Sequence, residues 1–468
     1  MLRRRALLAA AAGTAGCVGA PPGVPAFAHA DRAHALRLRD DALADGQAWR
    51  LLRSLCTEVG ARPAGSAADA RARRWAQDVL QGLGLTQVRD EPFALRVWQR
   101  GATSAVLLAP TPEPLVVAAL GNSVAAPPEG IEAEVAWYPD LASLKADGSD
   151  RARGRIVVVG TATERTRDGS GYGAAFPARM QGPGEAARRG ALAFGIRSLG
   201  TSAERIAHTG AMSYPLDAPR IPAFALAVPD ALRLAALHAA GTPMRLRLRL
   251  DARTGVDATS GNVIGEIPGT DLAQQVVLIS AHLDSWDLGQ GAVDDGAGVA
   301  IVCAAAGLIA RAGRPPRRTV RVVLFGNEEN GFDGARHYGD RHGARPHQWV
   351  GESDFGAGRP WQLRARVRAE ALPLVAHMAE LLAPLGVAWP ARGANEGTAG
   401  PDAAVLGRRF NWPMVQVHQD GSRYFDVHHT VHDTIDRVDP NDLPPNVAAW
   451  AVTAWLAAQS PLDFFPRA

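Results

Sequence analysis

Five short stretches in the second half of this 468-residue chain concentrate groups that bind cations and move protons: HLDSWD from 282, AVDD from 292, GNEEN from 326, ESDFG from 352 and HHTVHDT from 428. A pair of divalent ions that activates water needs imidazole and carboxylate ligands, one carboxylate shared between the ions, and a further carboxylate left free to handle protons. His282, Asp294, Glu328, Glu329, Asp354 and His429 fill that list. The chemistry they imply is metal-assisted hydrolysis.

Each motif also has a plainer reading. His282-x-Asp284 resembles any surface pair, although Asp284 could accept the second ring N–H of His282 and fix its tautomer. Asp294 and Asp295 could cap the next helix, Glu328 and Glu329 could belong to a solvated loop, the histidines at 428, 429 and 432 could decorate a surface, and Asp354 could cap a turn. Five such coincidences in this order are harder to accept than one site.

The elements that must position these groups follow from the hydrophobic pattern. From 260 onward, strands alternate with helices: QVVLISA, then Gly296 to Arg311, then TVRVVLF, then Gly331 to His342. Continuous apolar strands between helices predict an α/β domain with a mixed, largely parallel sheet. His282 directly follows the first strand and Glu328 and Glu329 closely follow the second, on the rim where such sheets bind ligands. Two helices are expected over Ala42 to Val59 and Ser66 to Leu83, broken at Gly60-Ala61-Arg62-Pro63. Between 105 and 250, short apolar runs such as RIVVVG and IPAFALAV lie among Gly and Pro with two Ala-rich helical stretches, predicting an inserted, mostly β unit.

Residues 1–30 carry Arg3, Arg4 and Arg5, an apolar stretch from Ala6 to Ala20 and Ala28-His29-Ala30, the pattern of an export signal with a small-residue cleavage site. The mature protein is therefore expected in the periplasm or outside the cell, with lipid anchoring through Cys17 the lesser alternative. Removing that segment leaves 47 basic and 47 acidic residues, so net charge gives no support to a nucleic-acid face. Only Cys56 and Cys303 then remain, too few for a disulfide framework. No stable membrane partner is expected, and the oligomeric state is open, a homodimer included.

The stretches GTDLAQQVVLISAHLDSWDLGQGAVDDGAGVA, RVVLFGNEENGFDGARHYGD, ESDFGAGRP and YFDVHHTVHDT resemble the co-catalytic zinc peptidases of clan MH, and within them the carboxypeptidase Q (plasma glutamate carboxypeptidase) group. The resemblance runs through 45–100 and 255–460. It implies a zinc exopeptidase fold with a protease-associated-like insert, and divides the chain into an export signal (1–30), a helical N-terminal part (31–104), the insert (105–250) and a catalytic domain (251–468). It also implies two Zn²⁺ per chain: one held by His282, Asp294 and Asp354, the other by Asp294, Glu329 and His429, with Asp294 bridging. His429 rather than His428 matches the family's H-T-x-x-D-T pattern. Glu328 resembles the general base, Asp284 the carboxylate that orients His282, and a cis peptide is implied between Asp294 and Asp295.

The implied activity is hydrolysis of short peptides, dipeptides among them, as a carboxypeptidase, dipeptidase or aminopeptidase. A single-zinc acyltransferase of the glutaminyl-cyclase type and a non-catalytic receptor-like relative are the alternatives. The insert is expected to shape or cover the cleft without supplying a ligand. Arg423 and Tyr424 are candidates to meet a substrate carboxylate, against a surface arginine and a core tyrosine.

Overall fold

The computed structural model describes residues 27–466. The three arginines, the apolar stretch and Cys17 of the expected export signal lie outside that range. Helices α1 (His29–Ala44), α2 (Gln47–Ser54) and α3 (Ala67–Gly82) lead in, with a π-helical turn at Leu55–Val59 between the last two. The helix expected from Ala42 thus begins at Gln47, because the chain breaks at Asp45, whose carboxylate accepts the Gln47 N–H at 2.9 Å. The second helix starts where expected. Ser66 caps it by accepting the Asp69 N–H at 3.1 Å, a contact worth about 1 kcal/mol.

A long strand, β1 (Thr86–Ala109), carries the chain into the insert, which contains β2 (Glu113–Leu115), β3 (Val117–Ala119), β4 (Ile131–Tyr138), α4 (Leu141–Ala146), β5 (Ile156–Val159), α5 (Ser170–Arg188), β6 (Ala193–Arg197), β7 (Ala223–Leu226) and α6 (Val228–Ala239). RIVVVG and IPAFALAV supply β5 and β7, and the Ala-rich stretches supply α5 and α6. Helices contribute more here than a mostly β texture suggested. Strands β4 to β7 run parallel, and every residue of β5 and β7 is buried. Strands buried on both faces need cover on both faces. The chain returns along β8 (Arg245–Ile267), antiparallel to β1 from Thr86 opposite Glu266 to Ala109 opposite Arg245. The boundaries expected at 104/105 and 250/251 fall inside this ribbon, so a twisted pair of strands joins the insert to the rest.

The catalytic part contains β9 (Leu272–His282), α7 (Ala297–Arg311), β10 (Arg318–Phe325), α8 (Asp333–His342), β11 (His347–Glu352), β12 (Pro360–Arg366), α9 (Leu372–Leu382), α10 (Pro401–Phe410), β13 (Met414–Gln419), α11 (Tyr424–Val427) and α12 (Leu443–Gln459). Its sheet has the order β12-β13-β11-β9-β10-β8. The four inner strands are parallel and the two outer ones antiparallel. Helices α1, α7, α9 and α12 cover one face and α8 and α10 the other. Helix α7 with the turn before it is long and apolar enough to cross a membrane, but its apolar window lies wholly inside the fold. Within it Cys303 is an inert thiol, pushed up to about 12 by burial.

Candidate active site

The carboxyl ends of adjacent parallel strands converge on one point. His282 ends β9 and lies in register with Phe325 of β10, and Glu352 of β11 lies in register with Ser280. Three neighbouring strand ends therefore deliver His282, Glu328 with Glu329, and Asp354. The segment after β13 delivers His428 and His429 across short helix α11. Asp294 comes from the turn before α7, where the Asp294–Asp295 peptide is cis, as the resemblance implied.

Asp294 stands between two sets of donors. Its Oδ1 lies 3.1 Å from Nε2 of His282, which is itself 3.6 Å from Oδ1 of Asp354. Its Oδ2 lies 3.1 Å from Nε2 of His429, which is 3.1 Å from Oε2 of Glu329. Ligand atoms around a tetrahedral ion with bonds of about 2.0–2.2 Å are spaced roughly 3.3–3.6 Å apart, so both sets could hold a divalent ion with small adjustments. Asp295 also lies near His282 and Asp354. Its two oxygens, however, accept the N–H groups of His282 and Gly298, both at 3.1 Å, whereas those of Asp294 face the two histidines.

The adjacent glutamates are held differently. Asp284 accepts both their backbone N–H groups, from Glu328 at 3.0 Å and Glu329 at 3.4 Å. Glu329 is buried, its Oε1 accepting the Trp286 N–H at 3.1 Å while Oε2 faces His429. The Glu328 carboxylate is half-buried and makes no hydrogen bond among the described residues. Burial, then the neighbouring Asp354, Glu329 and Asp294, pushes it well above the usual carboxylate range against the pull of His282. Burial works the same way on Asp294, but the imidazoles of His428, His282 and His429 hold it well below that range. Asp294 and Glu328 are thus driven in opposite directions, while Glu329 is pushed up as Glu328 is.

Asp284 meets His282 twice. Its backbone carbonyl accepts the Nδ1–H at 3.0 Å, and its carboxylate Oδ1, which also accepts the Glu328 N–H, lies 3.7 Å from the same nitrogen. Asp284 therefore ties the two motifs together and faces the histidine with both its main chain and its side chain.

Further groups hold the site in place, most of them with no sequence signal of their own. Arg62, fully buried in the expected breaker stretch, donates to the carbonyls of Leu283, Gln290 and Gly291 and so pins the loop between His282 and Asp294. Asp433 accepts the N–H groups of Val293 at 2.6 Å and Asp294 at 3.3 Å. The insert also reaches the site. Thr209 donates its N–H to the His429 carbonyl at 3.0 Å and faces Nδ1 of that ring with its own carbonyl at 3.3 Å. This two-point grip holds His429 at φ +58°, a left-handed conformation that costs a non-glycine residue about 1–3 kcal/mol.

Beside Asp294, through Val293 and Val427, opens a cleft of about 340 Å³ lined by Arg167, Arg359, Arg423 and Tyr424. Arg167 is paired with Asp420 at 2.9 Å and Arg359 with Asp442 at 3.1 Å. The Arg423 side chain makes neither hydrogen bond nor ion pair among the described residues, and its backbone carbonyl accepts the Asp426 N–H at 3.2 Å. Tyr424 is both a core and a cleft residue, its ring packed at 5.1 Å from Phe355 and 4.7 Å from His428.

Residues 262–454, which include every candidate ligand, match peptidase family M28. The chain is 35% identical to carboxypeptidase Q of Bos taurus, over 89% of this chain and 86% of that protein. It is also 35% identical to carboxypeptidase Q of Homo sapiens, over 91% and 88% respectively. The peptidase M28 precursor of Shewanella amazonensis SB2B superposes with a TM-score of 0.90 at 41% identity, covering 94% of this chain and 99% of that one. With the strand-end cluster already in place, these relationships make the chain a metallo-exopeptidase of peptidase family M28, related to carboxypeptidase Q.

Proposed function

We propose that the chain is an exported exopeptidase that uses two zinc ions, bridged by Asp294, to hydrolyse short peptides, dipeptides above all. The observation that carries this reading is the position of Asp294 between two donor sets, with the Glu328 carboxylate left unbonded beside them. His282 and Asp354 complete one set, Glu329 and His429 the other. When bound, the ions polarise the scissile carbonyl and acidify the attacking water. Glu328 takes a proton from that water and delivers it to the leaving amine. Asp284 keeps Glu328 and Glu329 in their separate orientations by holding both amides.

Metal content is the direct test. Elemental analysis is expected to give two ions per chain, and prolonged chelation should abolish dipeptide hydrolysis, with zinc restoring it. Activity that survives chelation overturns the reading, and one tightly bound ion per chain points instead to the acyltransferase alternative.

Arg423 supplies the substrate side of the proposal. As the arginine of the cleft without an ion pair, it is placed to receive a substrate carboxylate, with Tyr424 forming the wall beside it. A hydrogen bond to a charged group is worth about 1.5–3 kcal/mol, so Arg423→Ala should raise KM for free dipeptides by roughly ten- to a hundredfold. C-amidated dipeptides should be handled equally by both enzymes. Equal KM values for free and amidated substrates in the wild type would remove Arg423 from recognition.

A further inference from the structure

A chain of imidazoles runs from the insert to Asp294, and the two ligand sets leave it unused. His208, in the loop between β6 and β7, is 2% exposed and places Nε2 2.8 Å from Nδ1 of His428. His428 places its own Nε2 3.4 Å from Oδ2 of Asp294, the oxygen that His429 approaches at 3.1 Å. The rings of His428 and His429 are stacked, with centroids 3.5 Å apart and planes 21° apart. An imidazole lone pair lies in the plane of its ring. Two nearly parallel rings so spaced cannot both aim a lone pair at one ion, and His429 alone also meets Glu329. His428 is therefore free for a different task.

At 2.8 Å the two ring nitrogens of His208 and His428 share one proton, one ring donating and the other accepting, and this bond fixes the His428 ring against Asp294. His208 is fixed from its other side as well: its backbone N–H donates to Ser198 Oγ at 2.8 Å, its ring stacks on His429 at 5.3 Å, and Tyr172 meets it edge-on at 5.9 Å.

We propose that His208 is a positioning residue supplied by the insert, which through its hydrogen bond to His428 fixes the orientation of that ring against Asp294 Oδ2 and so couples the seating of the insert to affinity for the second ion and to turnover. The link to turnover rests on the two-ion peptidase reading. The hydrogen bond does not.

His208→Phe keeps the ring volume and removes the hydrogen-bonding nitrogen, while His208→Gln restores an amide near the position of Nε2. Zinc affinity of the weaker site, measured by chelator competition, should fall about 10–100-fold in the phenylalanine variant, the usual range for groups that orient a metal ligand. Its kcat for a free dipeptide should fall with little change in KM, and the glutamine variant should recover most of both. The ¹⁵N shift of His428 Nδ1 should move when His208 is replaced by Phe. Wild-type zinc affinity and kcat in His208→Phe, or a folded glutamine variant as impaired as the phenylalanine one, would overturn the proposal, as would a His428 Nδ1 shift unchanged by His208→Phe. If the wild-type enzyme cleaves no dipeptide, the peptidase reading fails while the affinity and ¹⁵N measurements still decide the role of His208.

Discussion

Glu328→Gln should fold, keep two zinc ions and bind dipeptides, yet lose about 10²–10⁴ in kcat, the range for a positioned acid/base group. The substitution preserves shape and removes basicity from a carboxylate that makes no hydrogen bond among the described residues. Its backbone N–H still reaches Asp284, so the loop should keep its course. Glu329→Gln should behave differently. Glu329 is gripped on one oxygen by the Trp286 N–H and faces His429 with the other, so its amide variant should lose the second ion first and activity as a consequence. Metal stoichiometry and kcat measured on both variants separate the roles. A Glu328→Gln protein that is metal-depleted but turns over normally in excess zinc would mean that the two glutamates exchange roles.

What the sequence could reveal about this site depended on how local the signal was. His282 and the glutamate pair were legible because each directly follows an apolar strand, and a parallel sheet puts such positions on one rim. The ordered motifs then supplied Asp294, Asp354 and His429. The same logic failed for groups whose partners are distant in sequence. Arg62 sits in a stretch that reads as a loop, and its work is done on carbonyls more than 220 residues away. His208 is a single histidine in the insert, and nothing in ERIAHTGAM distinguishes it from a surface residue. Thr209 acts through its backbone, which no side-chain pattern can report. Asp284 stood out as a partner for His282, but residue type does not say that its own carbonyl will face the ring as well as its carboxylate. The insert was legible in a similarly partial way. Its buried strands were visible as apolar runs, but period alone cannot show that they pair in parallel and draw helices over both faces.

Asp294 should be the least replaceable of the proposed ligands. His282 and Asp354 serve one donor set and Glu329 and His429 the other, whereas the Asp294 oxygens face both. Asp294→Ala should weaken both ions together, while His282→Ala and His429→Ala should each weaken chiefly one. The backbone at this position is held independently, since the Asp433 carboxylate accepts the amides of Val293 and Asp294, so the variant should still fold. It should also lose the thermal stabilisation that zinc gives the wild type. An ion at a hundred times its dissociation constant adds about 2.7 kcal/mol to a site that forms only in the folded protein, and Asp294→Ala removes the carboxylate common to both sites. Asp294→Asn would sharpen the comparison by keeping the side-chain shape while discarding the charge that His282, His428 and His429 surround. Elemental analysis and zinc-dependent melting on the three single-ligand variants test the arrangement, and an Asp294→Ala protein with two tightly bound ions would show that another carboxylate, with Asp295 the nearest in the chain, carries the bridge.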